Sequence, residues 1–218
     1  MKFLFEDADF VVLNKPAGLL SVPGRGADKQ DCVLTRLQQS HPTALVVHRL
    51  DMATSGLMVF ALNPETQRAL SMLFAQRQVH KQYVAWVDGL LPLSSEWQSI
   101  DLPLVADWPN RPLQKVDACG KPSLTHWRCV GHHVGTRSSL VELQPLTGRS
   151  HQLRVHMQSL GHPIRGDALY APHSPGEHGL MLHACSLAFA HPKTQAPLKW
   201  LSTPAWPHDW QPSGVALS

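Results

Sequence analysis

Five prolines, Pro92, Pro103, Pro109, Pro112 and Pro122, fall between residues 90 and 124. Each removes a backbone donor and clashes with the preceding helical turn, so this stretch is left to turns, edge strands and loops. It is the expected join between two lobes. Around it lie short apolar runs that stop at turn residues. Phe10–Leu13 ends in Asn14-Lys15-Pro16-Ala17-Gly18, Tyr83–Val87 ends in Asp88-Gly89, and Ala44–Val47, Leu57–Leu62, Thr125–Val130 and Ser139–Leu146 have the same strand character. Helical spacing is confined to two places. One helix starts at the Asn63 cap with Pro64 in its first turn and runs to about Gln76; the other spans about Ser150 to Leu160, where Gly161 stops it. Strands and helices mix without βαβ regularity, which predicts an α+β domain around a mixed, mainly antiparallel sheet. Pro172 to Gly179 reads as a mobile surface loop.

The 218 residues, 43% hydrophobic and 16% charged, are ample for one catalytic domain and exclude disordered, collagenous and coiled-coil classes. No apolar run approaches a membrane span, and Glu6, Asp7 and Asp9 occupy the opening where a signal peptide needs apolar residues. A cytoplasmic protein without membrane contact is expected. Cys32, Cys119, Cys129 and Cys185 form no Cys-x-x-Cys pair and read as small buried hydrophobes. The 14 histidines contain no His-Glu-x-x-His, so no metal is expected. Net charge is 19 − 16 = +3, and the excess lies in the middle of the chain. There, Pro145 to Gly166 carries Arg149, Arg154 and Arg165 with His151, His156 and His162 and no carboxylate, which points to a bound anion.

Three segments place polar groups at strand edges: His48-Arg-Leu-Asp51, Lys81-Gln-Tyr83, and Thr147-Gly-Arg149 followed by Ser-His-Gln-Leu-Arg154. Taken singly, Asp51 can be a turn cap, Tyr83 a half-buried strand aromatic and Arg149 a surface cation. Together, and in this order, they carry a resemblance. The segment from His48 to Gly56 resembles the catalytic signature of the RluA-type pseudouridine synthases. Thr147 to Met157 is similar to that family's arginine motif, Lys81 to Tyr83 to its tyrosine motif, and Gly161 to Asp167 to the turn that follows. Leu13 to Gly24 and Asp107 to Pro112 resemble its founding dual-specificity branch in particular.

The resemblance implies the pseudouridine synthase fold, with flanking helices and a cleft between two lobes, and isomerisation of uridine in RNA without any cofactor. The family's nucleophilic aspartate falls on Asp51, a carboxylate able to trap a departing group and release it again. Its arginine falls on Arg149, which would keep the carboxylate charged and aimed, and its tyrosine on Tyr83, which would stack on the target base and move a proton. Arg49, with His48 beside it, matches the position that enters the RNA stack as the uridine flips out. Arg154 and Arg165 are expected on phosphates, with Leu153 lining the pocket or packing its helix. The implied substrates are stem-loops, with uridine 746 of 23S ribosomal RNA and uridine 32 of certain tRNAs as targets. No separate N-terminal RNA-binding domain and a monomer are expected. Two other readings stay open: a His/Asp hydrolase using His48 and Asp51 or others of the many histidines, and a catalytically silent RNA-binding protein.

Overall fold

Apolar residues dominate the runs Phe10–Leu13 and Leu57–Ala61, and these runs are buried. A computed structural model gives the structure and describes residues 1–171, 173 and 179–206. Of the expected Pro172–Gly179 loop, only His173 and Gly179 fall among them. In chain order the strands are β1 (Lys2–Glu6), β2 (Phe10–Lys15), β3 (Leu45–Val46), β4 (Ser55–Ala61), β5 (His80–Asp88), β6 (Gln98–Asp101), β7 (Leu104–Ala106), β8 (Gln114–Val116), β9 (Leu124–His133), β10 (Ser138–Pro145), β11 (Leu182–Ala190) and β12 (Pro197–Leu201). The helices are α1 (Val33–Gln38), α2 (Pro64–Ala75) and α3 (Gln152–Ser159).

Two units divide the chain: one joins Met1–Lys81 to His183–Pro204, the other runs over Gln82–Leu182 and resumes at Ala205. Residues 90–124, expected at the join, therefore lie within the second unit. Their prolines end strands and shape a small hairpin instead of a linker.

In the first unit β2 is antiparallel to both β1 and β4, while β11 joins the other side of β4 in parallel, His183 opposite Ser55 and Ala184 opposite Gly56. β12 is antiparallel to β11, and β3 pairs the end of β4. The sheet is mixed, as the fold class requires. Phe10, Val12, Leu57, Val59, Leu70, Leu187 and Phe189 bury together beneath α2, with Phe5, Phe74 and Trp200 packed against them. Each large side chain buried there contributes about 1.5–3 kcal/mol. α2 begins as expected: Asn63 Oδ1 accepts from the Thr66 amide at 2.8 Å, and Pro64 occupies the first turn. α1, not foreseen, is capped by Cys32, whose Sγ accepts from the Thr35 amide at 3.4 Å.

The second unit is an antiparallel ladder in the order β5, β10, β9, β6. β7 and β8 form a separate hairpin. That hairpin packs on α3 through Leu104, Leu113, Val155 and Tyr170. α3 starts at Gln152 because His151 before it adopts a left-handed backbone with φ 54°. Cys32, Cys129 and Cys185 are buried as expected, but Cys119 is exposed in the turn after β8.

Candidate active site

The first unit holds the Asp51 segment between β3 and β4 by its main chain. Lys15 ends β2 with no exposed surface, and its ammonium donates to three carbonyls: Leu19 at 2.8 Å, Pro16 at 3.0 Å and Met52 at 3.0 Å. Burial pulls the Lys15 pKa down to about 8, against the favourable charge of Asp51. The Gly18 amide donates to the Met52 carbonyl at 2.9 Å, from a glycine with φ +83°. On the other side of Asp51, Ser21 Oγ donates to the Leu50 carbonyl at 2.7 Å and accepts the Leu50 amide at 3.1 Å. The turn that follows β2 thus grips residues 50 and 52, the two neighbours of the half-buried Asp51. Gly56, which pairs with Lys15, has φ +117°, and a Cβ there would fall 2.4 Å from the Ala184 carbonyl oxygen. Only glycine lets β11 approach the strand that starts just beyond this loop.

His48 and Arg49 behave differently. Nε2 of His48 accepts the Val59 amide at 3.1 Å, and its ring stacks on Phe74 with centroids 4.7 Å apart. Burial lowers its pKa to about 3, with the Lys81 charge adding to the effect. His48 is therefore a neutral packing residue that fixes the loop to β4. It offers RNA no charge, and its accepting nitrogen is already used, so His48 is not the base of a His/Asp hydrolase. Arg49 is exposed and makes no hydrogen bond or ion pair among the described residues.

In the second unit, Tyr83 stands on β5 opposite Leu143 of β10, a few residues before that strand enters the arginine loop. Tyr83 and the loop therefore share one end of the ladder. Buried Gln152 holds this loop: its Oε1 accepts from Thr147 Oγ1 at 2.8 Å and from the Arg149 amide at 3.0 Å, while its Nε2 donates to the Leu124 carbonyl at 3.0 Å. The Arg149 side chain is exposed and donates from Nε to the Pro122 carbonyl at 3.3 Å.

Two of the arginine expectations need correction. Arg154 is not placed for phosphate: its side chain is 5% exposed and donates from Nε and Nη2 to the two oxygens of buried Asp167, both at 2.7 Å. Asp167 lies one residue past the carboxylate-free stretch counted in the sequence. Leu153, 6% exposed, packs within α3, one of the two roles expected of it. Arg165 donates from Nη1 to the Thr136 carbonyl at 3.1 Å and lies 3.5 Å from Asp88, so its charge is largely answered. His156 is fully buried between Thr125 Oγ1 and the Leu102 carbonyl. Of the expected anion site, Arg149 alone among the three arginines stays outward.

Lys15, Ser21 and Gln152 are the residues that sequence reasoning missed. Lys15 is readable in the sequence only as turn punctuation, although a lysine at the end of a buried apolar strand signals a cation that needs several acceptors. Donor atoms of Asp7, Asp9 and His191 also gather within 4.8 Å, but Lys193 Nζ supplies the cation there, 2.5 Å from Asp9. No described helix is long and apolar enough to cross a membrane.

The mixed-sheet α+β fold is that of the pseudouridylate synthases, a class of RNA-modifying enzyme. The family profile described as RNA pseudouridylate synthase matches residues 9–159. The chain is 49% identical to the dual-specificity RNA pseudouridine synthase RluA of Vibrio parahaemolyticus, over 98% of this chain and 86% of that one. It is 50% identical to the protein of the same name from Escherichia coli K12, over 87% of this chain and 86% of that one. Among solved structures, human RNA pseudouridylate synthase domain containing 1 superposes with a TM-score of 0.76 at 27% identity, covering 93% of this chain and 83% of that one. The chain belongs to the RNA pseudouridylate synthase family and is a pseudouridine synthase, an isomerase.

Proposed function

We propose that this enzyme has dual specificity, converting uridine 746 of 23S ribosomal RNA and uridine 32 of certain tRNAs, with Asp51 as nucleophile. The observation that carries the reading is the clamp on residues 50 and 52: three donors and one acceptor grip the backbone on both sides of Asp51 and fix where it stands. A carboxylate that must bond to substrate and let go again is best aimed through its main chain.

Arg149 holds that carboxylate ionised when RNA covers it, and Tyr83 supplies the stacking face and the late proton transfer. Arg49, exposed and unpaired among the described residues, fills the gap left by the extruded uridine, its flat guanidinium offsetting part of the few kcal/mol of unstacking. The dual-specificity relatives at 49% and 50% identity support the choice of substrates. A cytoplasmic monomer acting on stem-loops whose bases can be splayed out fits this role.

The test is carbodiimide primer extension on 23S ribosomal RNA and bulk tRNA from a deletion strain. Wild-type protein should restore stops at both uridines, and Asp51→Asn should restore neither. Restoration by Asp51→Asn overturns the nucleophile; stops at other positions only overturn the substrates.

A further inference from the structure

The hairpin formed by β7 and β8 carries a tryptophan that no core claims. Trp108, in the 3₁₀ turn Trp108–Asn110 at the hairpin tip, is 67% exposed, and the Arg111 guanidinium carbon lies 3.2 Å from its ring centroid. The guanidinium covers one face and leaves most of the indole in solvent. Exposure of so large an apolar ring is costly unless something stacks on it.

The tip is firmly held. The Gln114 amide donates to Tyr170 Oη at 2.8 Å, Leu113 packs with Leu104, Val155 and Tyr170, and a Cβ on Gly120 would fall 2.6 Å from the Leu104 backbone. The same scaffold presents the arginine loop: Tyr170 Oη meets His151 Nδ1 at 2.7 Å, and Arg149 Nε reaches the Pro122 carbonyl just beyond the hairpin. The acids of the hairpin are engaged internally, Asp107 by Asn110 Nδ2 and Asp117 by the Cys119 amide, both at 2.9 Å. Lys115 and Lys121 are exposed. An indole backed by a guanidinium, on a hairpin that carries exposed lysines, matches an unpaired base with its phosphates.

We propose that Trp108 and Arg111 form a second RNA subsite, where an unpaired base of the substrate loop other than the target uridine stacks on the exposed indole face. This deepens the functional reading above and rests on its RNA substrate. The subsite sets affinity and loop choice while leaving the chemical step to the Asp51 segment.

The experiment is single-turnover pseudouridine formation on a stem-loop RNA that the wild-type protein modifies, at varied enzyme concentration. Trp108→Ala should raise the half-saturating concentration about tenfold, within the range for loss of one base–aromatic stack, at an unchanged maximal rate. Trp108→Phe, which keeps a π-face, should recover most of the affinity. Abasic substitution of the stacked nucleotide should weaken the wild type and leave Trp108→Ala unaffected. Equal affinity of wild type and Trp108→Ala overturns the subsite, as does equal loss in the alanine and phenylalanine variants while both melt like the wild type. A change of mass by light scattering with RNA affinity intact assigns Trp108 to a protein contact and also overturns it. Absence of pseudouridine from every RNA treated with wild type is a different failure, that of the functional reading.

Discussion

Lys15→Met replaces the buried ammonium under the Asp51 segment with an uncharged chain of similar length. Two opposing effects decide its outcome. Three charge-assisted hydrogen bonds, to the carbonyls of Pro16, Leu19 and Met52, are lost, at about 1.5–3 kcal/mol each. Against this, the desolvation that pulls Lys15 from 10.5 to about 8 disappears, a relief of about 3 kcal/mol at neutral pH. The variant should therefore be less stable by about 1.5–6 kcal/mol at pH 7. The pH dependence is more telling. Because the folded value lies below the unfolded one, the cost of burying the charge is complete below about pH 8 and lifts as pH rises toward 10.5. The wild type should gain on Lys15→Met by up to about 1.4 kcal/mol per pH unit across that window. Urea unfolding of both proteins at pH 7, 8, 9 and 10 measures the gap, and the difference cancels every other titrating group. A gap that stays flat, or a methionine variant more stable at pH 7, refutes the account of Lys15 as a charged clamp.

Asp167→Asn leaves the Arg154 guanidinium buried without its carboxylate and should cost about 3–5 kcal/mol in urea unfolding; a loss below 1 kcal/mol would mean that water or another group takes over. His183, 1% exposed and bonded to Ser55 Oγ at 2.8 Å, has its pKa lowered to about 4 by burial. Folded protein refuses a proton that unfolded chain accepts, so stability should fall as pH drops from 6.5 toward 4, and His183→Asn should flatten that slope. Gly56→Ala drives a methyl into the Ala184 backbone and should leave little folded protein at 37 °C, seen as insoluble expression.

The elements that sequence disclosed were those specified locally. Asn63-Pro64 announces the start of α2 by capping chemistry alone, and Asp88-Gly89 ends β5 because glycine takes φ +88° there. α1 was illegible because cysteine is an uncommon cap, and its capping box with Thr35 has no spelling that points to a helix. β11, whose parallel pairing with β4 makes the sheet mixed, is recruited across 128 residues between Ser55 and His183. Nothing near either segment encodes that partnership. At the site, motif spacing picked out Asp51, Tyr83 and Arg149. It gave no means of separating arginines that face outward from those answered inside, since the Asp167 that neutralises Arg154 lies 13 residues on and pairs only once the chain folds.

How each charged group is held now makes that separation. Arg154 is gripped by its head: both oxygens of a buried carboxylate take its guanidinium, and any step that required it to contact substrate would first have to break that pair. Arg149 is placed by its backbone, through the amide bonded to Gln152, while its guanidinium spends one long bond on a carbonyl. The Asp51 segment follows the second pattern, with Leu50 and Met52 fixed through main-chain atoms. A guanidinium positioned through its backbone, as at Arg149, can turn to substrate at little reorganisation cost, whereas one paired to a buried carboxylate, as at Arg154, is structural. Gln152 therefore matters as much as Arg149 itself. Gln152→Ala should leave the Arg149 cation in place but unaimed, lowering the maximal single-turnover rate by about tenfold or more with RNA affinity nearly intact. Gln152→Glu, which still accepts the Arg149 amide, should recover part of that rate. If alanine and glutamate slow the reaction equally, or if affinity falls with rate, the loop is not positioned in this way.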